Sequence, residues 1–208
     1  MNTPIIIGIC GPSAAGKTFL ANYIKEYYKD KVSIVSYDAY CRDFISNNKK
    51  KVDVTKINYD SPEAYEGELL YKHVLEAKKG KDIHCPIYDF SSHTRLKETK
   101  LIENKPIIVV EGILIFQIKE LIPLLDIKVF IDARANTRFK RRSNRDIMER
   151  GRTLESVKYQ WDSTVEPSRH LYIDTVKPLA DLVIRNGGSK GIAKQARQLI
   201  KQIDKKLK

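Results

Sequence analysis

The chain has 208 residues, a formal net charge of +12, 42% apolar and 31% charged residues. That length supports one sizeable core, residues 1–208 forming a single domain, and it is short for two full domains. No apolar run approaches the ~20 residues of a membrane span, and the N-terminus lacks the basic region that opens a secretory signal.

In chain order, Ile5 to Ile9 reads as a buried strand, followed by a glycine-rich turn and a helix over Lys17 to Tyr28. Val32 to Ser36 is a second strand, and a helix is expected over about Pro62 to Lys79. Ile107 to Val110, Ile127 to Ile131 and Leu182 to Ile184 are further short apolar strands, and Gly187-Gly188 leads into a C-terminal helix. Near-continuous apolar strands separated by helices indicate an α/β fold, a doubly wound parallel sheet covered on both faces. Residues 83–102 break the rhythm. They alternate polar and apolar side chains around Ser91-Ser92, the pattern of a β-hairpin inserted into the core, where recognition commonly resides.

The turn after the first strand is Gly11-Pro12-Ser13-Ala14-Ala15-Gly16-Lys17-Thr18, a match to G-x-x-x-x-G-K-[ST] between a strand and a helix. Glycines let the backbone wrap closely, so that successive N–H groups face phosphates, and the helix N-terminus favours the same anion. Lys17 supplies a charge to the β- and γ-phosphates, and the Thr18 hydroxyl is a ligand for Mg²⁺. Two acids follow strands: Asp38 after the second and Glu111 after Ile107 to Val110. Ligands of open α/β sheets gather at those carboxyl ends. Asp38 is suited to take the proton of an acceptor hydroxyl, with a secondary part at the metal, and Glu111 to hold the metal.

The lysines are dispersed and often near acids, as on a solvated surface. The arginines cluster instead: Arg138, Arg141, Arg142 and Arg145 are spaced to share one helix face, and Arg150-Gly151-Arg152 follows. Such a group forms a lid over about 142–160 that neutralises charge on a transferred phosphoryl group. Three scattered cysteines, Cys10, Cys41 and Cys85, form no C-x-x-C pair, which argues for reduced thiols in a cytoplasm.

These strings, in order, resemble the uridine kinase branch of the phosphoribulokinase and uridine kinase family. Besides the P-loop they are Tyr37-Asp38, Asn58-Tyr59-Asp60-Ser61-Pro62, the run from Pro86 through Tyr88-Asp89-Phe90 to His93-Thr94-Arg95, Glu111-Gly112-Ile113-Leu114, Arg141-Arg142-Ser143-Asn144-Arg145-Asp146 and Glu149-Arg150-Gly151-Arg152. The resemblance implies a P-loop NTPase-type kinase that uses ATP, with GTP as an alternative donor, and Mg²⁺ to phosphorylate the 5′-hydroxyl of uridine or cytidine. It implies that Asp38 is the general base, that Asp60 and Arg142 hold the ribose hydroxyls, and that Tyr88 and His93 read the pyrimidine edge. Tyr59 and Phe90 would pack on the base, Gln160 would reach the nucleoside, and Arg145, Arg150 and Arg152 would contact phosphates. It also implies a cytosolic homotetramer whose partner is a small-molecule nucleoside, with neither nucleic acid nor membrane expected. The family typically has Tyr three residues after this Asp; here that position is Cys41, next to Tyr40. Two other readings are a same-fold kinase for another small alcohol, such as pantothenate, a sugar phosphate or nicotinamide riboside, and a nucleic-acid-binding regulator drawing on the +12 charge.

Overall fold

The computed structural model describes residues 3–46 and 57–208. Five parallel strands form the central sheet: β1 (Ile5–Cys10), β2 (Val32–Ser36), β5 (Ile107–Gly112), β6 (Ile127–Asp132) and β7 (Leu182–Arg185), in the order β2-β5-β1-β6-β7. β1 lies at the centre and every one of its residues is buried. Its side chains alternate between two cores, as the strand period of two demands: Ile5, Ile7 and Ile9 enter one, Ile6 and Cys10 the other. In β5, Ile107 and Val109 join the first core and Ile108 and Val110 the second. A continuous β-branched run is therefore what a strand needs when both faces are covered.

α1 (Lys17–Tyr28) and α6 (Ser189–Leu207) close the first core with Leu20, Ala21 and Ile24 and with Ile192, Ala196, Leu199 and Ile203. On the second face lie α2 (Gly67–Lys78), which presents Leu70, Val74 and Ala77, and the antiparallel hairpin of β3 (Ile83–Asp89) and β4 (Thr94–Ile102). The helix expected from about Pro62 begins later. Pro62–Ala64 is one 3-10 turn, Tyr65 is extended, and α2 starts at Gly67. Proline fixes φ for a turn start, but the extended Tyr65 meets Cys41 in an antiparallel bridge, and that pairing interrupts the helix.

β6 leads into α3 (Ala135–Arg150), whose buried residues are Arg138, Arg142, Ser143 and Asp146. After Gly151, in the left-handed region at φ 63°, the chain runs into α4 (Leu154–Gln160), capped by Thr153 Oγ1 accepting from the Ser156 N–H at 3.2 Å. Helical turns then continue through Trp161–Val165, the short α5 (Glu166–Ser168), Arg169–Ile173 and Asp174–Leu179, two of them widened to π geometry. Pro167 and Pro178 lack the N–H that a regular ladder uses, so an unbroken α-helix is not available here. Among the described residues no helix is long and apolar enough to cross a membrane. Cys10, Cys41 and Cys85 are buried free thiols.

Candidate active site

The carboxyl ends of β1, β2 and β5 are neighbours and point the same way, which brings three sequence-distant segments together. After β1, the loop from Gly11 to Thr18 turns sharply. Gly11 has φ 146°, and a Cβ there would lie 2.2 Å from the Ile131 carbonyl oxygen. At Gly16, φ is 108° and a Cβ would meet the Asn186 side chain at 2.4 Å. Asn186, after β7, braces this loop from the side: Nδ2 donates to the Ala15 carbonyl at 2.6 Å, and Oδ1 accepts from the Gly188 N–H at 2.9 Å. Nothing in the sequence pattern distinguished Asn186, because its partner is 171 residues away. Lys17 is buried, and its ammonium donates to the Pro12 carbonyl at 3.2 Å, on the loop it serves.

Thr18 Oγ1 donates to Glu111 Oε1 at 3.3 Å, and Ser36 Oγ donates to the same oxygen at 2.9 Å. Burial raises the Glu111 carboxyl above its ordinary value, and the charge of Asp38 adds to the rise while Lys17 opposes it. A hydroxyl and a carboxylate side by side suit a hard cation that takes one or two protein oxygens and completes its shell with phosphate and water. Ser36 is a member of this group that the motifs did not single out.

The neighbouring cavity is lined by Ser13 of the loop, by Asp38, Tyr59, Asp60, Phe90 and His93, and by Arg142, Arg145, Arg150, Arg152 and Gln160. Asp38 sits in the 3-10 turn Tyr37–Tyr40 that ends β2. Asp60 is buried, its N–H donating to Asn58 Oδ1 at 3.0 Å, and Asn58 Nδ2 donates to Ser168 Oγ at 2.9 Å. Burial raises the Asp60 carboxyl, against the pull of Arg142, whose Nη2 stands 3.9 Å away. Arg142 is held from three sides: Nη1 donates to Ser13 Oγ at 2.7 Å, Nη2 donates to Gln160 Oε1 at 2.9 Å, and Asp146 flanks Nε at 3.3 Å. Gln160 Oε1 also accepts from Arg152 Nη1.

The opposite wall is aromatic. His93 stacks on Tyr59 with ring centroids 5.4 Å apart, and Arg150 lies over the Phe90 ring at 4.5 Å, joining lid to hairpin by a cation–π contact. His93 occupies the left-handed region at φ 57°, in a turn organised by Asp89, which accepts from the Ser91 N–H at 2.9 Å and from Ser92 Oγ at 2.7 Å. Burial, then Arg152 and Arg150, hold the imidazole below its ordinary value. Tyr88 is placed differently from the others. It is buried edge-on to Phe90 and does not line the cavity, and the Tyr59 and Tyr88 hydroxyls are near each other and the Cys41 thiol without an aligned hydrogen bond.

The hairpin is fastened by a residue whose role the motifs did not reveal. Arg95 donates through Nη2 to the Cys41 carbonyl at 2.9 Å and through Nη1 to Glu66 Oε2 at 2.5 Å, and its N–H donates to Asp43 Oδ2 at 3.1 Å. Cys41, Tyr65, Ser91 and Ile113 also line the cavity.

The arginines of α3 share its inward side but not one partner. Arg138 is fully buried over Trp161, with Nη2 donating to Glu166 Oε1 at 2.8 Å, and Arg141 reaches Asn186 at 3.4 Å. Only Arg142 and Arg145 of that set enter the cavity. The spacing sets the shared side, and along it each arginine follows the partner it meets: Glu166 for Arg138, Asn186 for Arg141, and Ser13 with Gln160 for Arg142.

The model of the phosphoribulokinase / uridine kinase family matches residues 6–193. The chain belongs to the phosphoribulokinase / uridine kinase family. A uridine kinase of Clostridium novyi is 44% identical over 93% of this chain and 92% of its own length, and one of Alkaliphilus metalliredigens is 40% identical with the same coverage. In fold the chain is similar to the phosphoribulokinase from Rhodobacter spheroides, with a TM-score of 0.58 at 15% identity, covering 88% of this chain and 69% of that one. Family membership accounts for the P-loop and for the parallel sheet that carries it, with ATP as phosphoryl donor.

Proposed function

We propose that the chain transfers the γ-phosphoryl group of ATP to the 5′-hydroxyl of uridine or cytidine. The observation that carries this reading is a single cavity in which Ser13 of the phosphate loop, the carboxylates Asp38 and Asp60 and the aromatic pair Tyr59–His93 face the same space. A nucleoside needs a flat apolar contact for its base, carboxylate or guanidinium partners for its ribose hydroxyls, and a base at its 5′ end.

Tyr59 and Phe90 pack on the pyrimidine and His93 reads its edge. Asp60, paired with Arg142, accepts from the ribose hydroxyls, so a 2′-deoxynucleoside leaves buried charge unmatched and is rejected. Asp38 takes the 5′-hydroxyl proton, and Lys17, Arg145, Arg150 and Arg152 neutralise charge as the phosphoryl group moves. Thr18 and Glu111 would hold Mg²⁺, which when bound screens the β- and γ-phosphates. ADP release measured with ATP, Mg²⁺ and a panel of uridine, cytidine, deoxycytidine, adenosine and pantothenate tests the reading. Turnover confined to uridine and cytidine is expected; turnover with pantothenate alone would overturn it.

His93 gives the site a pH dependence. The folded imidazole lies below its ordinary 6.5, so the neutral ring that reads the base persists through neutral pH. Protonation places a cation beside Arg150 and Arg152 and removes an acceptor. The unfolded chain binds this proton more tightly than the folded one, so stability is lost as pH falls from about 6.5 down through the lower folded value. KM for the nucleoside should rise as pH falls through the folded imidazole's lowered value, on the acid side of an ordinary histidine, and His93→Ala should raise KM at pH 7.5 with little change in kcat while flattening that acid limb. An acid limb of unchanged steepness in the variant would remove His93 from base recognition.

A further inference from the structure

One buried carboxylate is surrounded by every arginine of the cavity. Asp146 has no solvent exposure, and it stands 2.8 Å from Arg145 Nη2, 3.3 Å from Arg142 Nε, 3.4 Å from Arg150 Nη1 and 3.8 Å from Arg152 Nη1. Its two oxygens are used unequally. Oδ1 accepts from both Nε and Nη2 of Arg145, at 2.9 and 2.8 Å, whereas Oδ2 lies in ion-pair range of Arg142 and Arg152 with no aligned hydrogen bond. The backbone of the same residue holds the turn, since the Asp146 carbonyl accepts from the N–H groups of Gly151 and Arg152.

We propose that Asp146 is the positioning residue of the lid, a single buried anion that gathers Arg142, Arg145, Arg150 and Arg152 into the cavity before substrates arrive. Four guanidiniums repel one another, and without an anion among them they would turn toward solvent, at a cost in order that each phosphoryl transfer would have to recover. One carboxylate cannot neutralise four cations, so the cluster keeps a positive excess for the phosphates. Arg145 is the one that Asp146 itself hydrogen-bonds, through Nε and Nη2. Arg142 has Ser13 and Gln160 to hold it and Arg152 has Gln160 and Ser156, whereas Arg150 is tethered to Asp146 through charge at 3.4 Å and lies over Phe90, which leaves it the most free to turn to a phosphoryl group. Preorganised charge of this kind acts on the chemical step more than on ground-state binding.

The inference rests on the kinase reading for its kinetic consequence, but not for its structural one. Asp146→Asn keeps the backbone carbonyl and the shape and removes only the charge. In the ligand-free protein, amide hydrogen exchange over residues 150–153 should accelerate in Asp146→Asn relative to the wild type, with exchange in β1 and β5 unchanged. With ATP and the preferred nucleoside, kcat should fall about 10²-fold while both KM values stay within a few-fold, and Asp146→Glu should restore part of the loss. Glu166→Gln is the control, because it strips the carboxylate from Arg138, two turns before Asp146 on α3 and outside the cavity, and should lower the melting temperature without a comparable fall in kcat. A wild type that turns over no nucleoside would defeat the kinase reading and leave the exchange result to decide the inference. Unchanged exchange at 150–153, or a kcat loss no greater than that of Glu166→Gln, would overturn it. If the Asn variant does not fold, the same comparison is made between Asp146→Glu and Glu166→Gln, where equal kcat and equal exchange would overturn it.

Discussion

Replacing Asp38 by Asn should lower kcat by about 10²-fold or more while ATP binding stays near normal. Asp38 follows β2 in a short 3-10 turn and lines the cavity, whereas the loop proposed to hold the phosphates follows β1. The substitution keeps the size of the side chain and its hydrogen-bonding reach, so the acceptor can still bind. What is lost is the proton acceptor at the 5′-hydroxyl and the negative charge opposite the cationic lid. Steady-state kinetics with uridine, alongside calorimetric titration of ATP, separate the two consequences. A kcat within a few-fold of the wild type would take Asp38 out of the proton transfer and give the base to another group, such as Asp60, the other carboxylate lining the cavity.

The second large effect is expected at Gly11. Its φ of 146° is a conformation that side chains disfavour, and a Cβ would be driven to within 2.2 Å of the Ile131 carbonyl oxygen. The conformation alone costs roughly 1–3 kcal/mol, and the clash is with backbone of β6, which cannot move without opening the sheet. Gly11→Ala should therefore lower the melting temperature markedly and abolish ATP binding, because relief of the clash means re-aiming the loop N–H groups. Gly80→Ala provides the contrast. Gly80 has φ 87°, but nothing lies within 4 Å of a Cβ there, so that variant should show the conformational cost alone and bind ATP normally. A Gly11→Ala protein that binds ATP as the wild type does would show that the phosphate cradle tolerates a different backbone path.

Together these predictions divide the site into a rigid half and an adjustable half. The phosphate loop is fixed by glycine conformation, by Asn186 and by the sheet beneath it. The acceptor half is assembled from a hairpin fastened by Arg95, a lid joined to it through Arg150 and Phe90, and the Asp60 segment tied to the lid helices through Asn58 and Ser168. Those ties are polar and partly exposed, so this half has the weaker contacts expected of elements that adjust around a substrate.

The strands, the phosphate loop and the two acids were legible in the sequence by itself, because each is a local pattern with a local cause. A buried parallel strand needs an unbroken apolar run, as Ile107 to Val110 supplies. A phosphate cradle needs Gly11 and Gly16 at a fixed distance from Lys17 and Thr18. The hairpin was legible in the same way, from alternation about a Ser-rich turn. The tertiary structure alone decided which arginine does what. α3 buries Arg138, Arg142, Ser143 and Asp146, so its inward side is polar and no apolar stripe marks it. Charged side chains take their direction from the partner they meet, and the partners here are distant in sequence: Glu166 for Arg138, Asn186 for Arg141, Ser13 for Arg142. The same reason hid the roles of Asn186, Ser36 and Arg95, whose hydrogen bonds reach across the fold and leave no periodic trace. Hydrophobic burial is periodic and can be read along the chain; the pairing of buried charge is specific and is fixed only when the elements have packed.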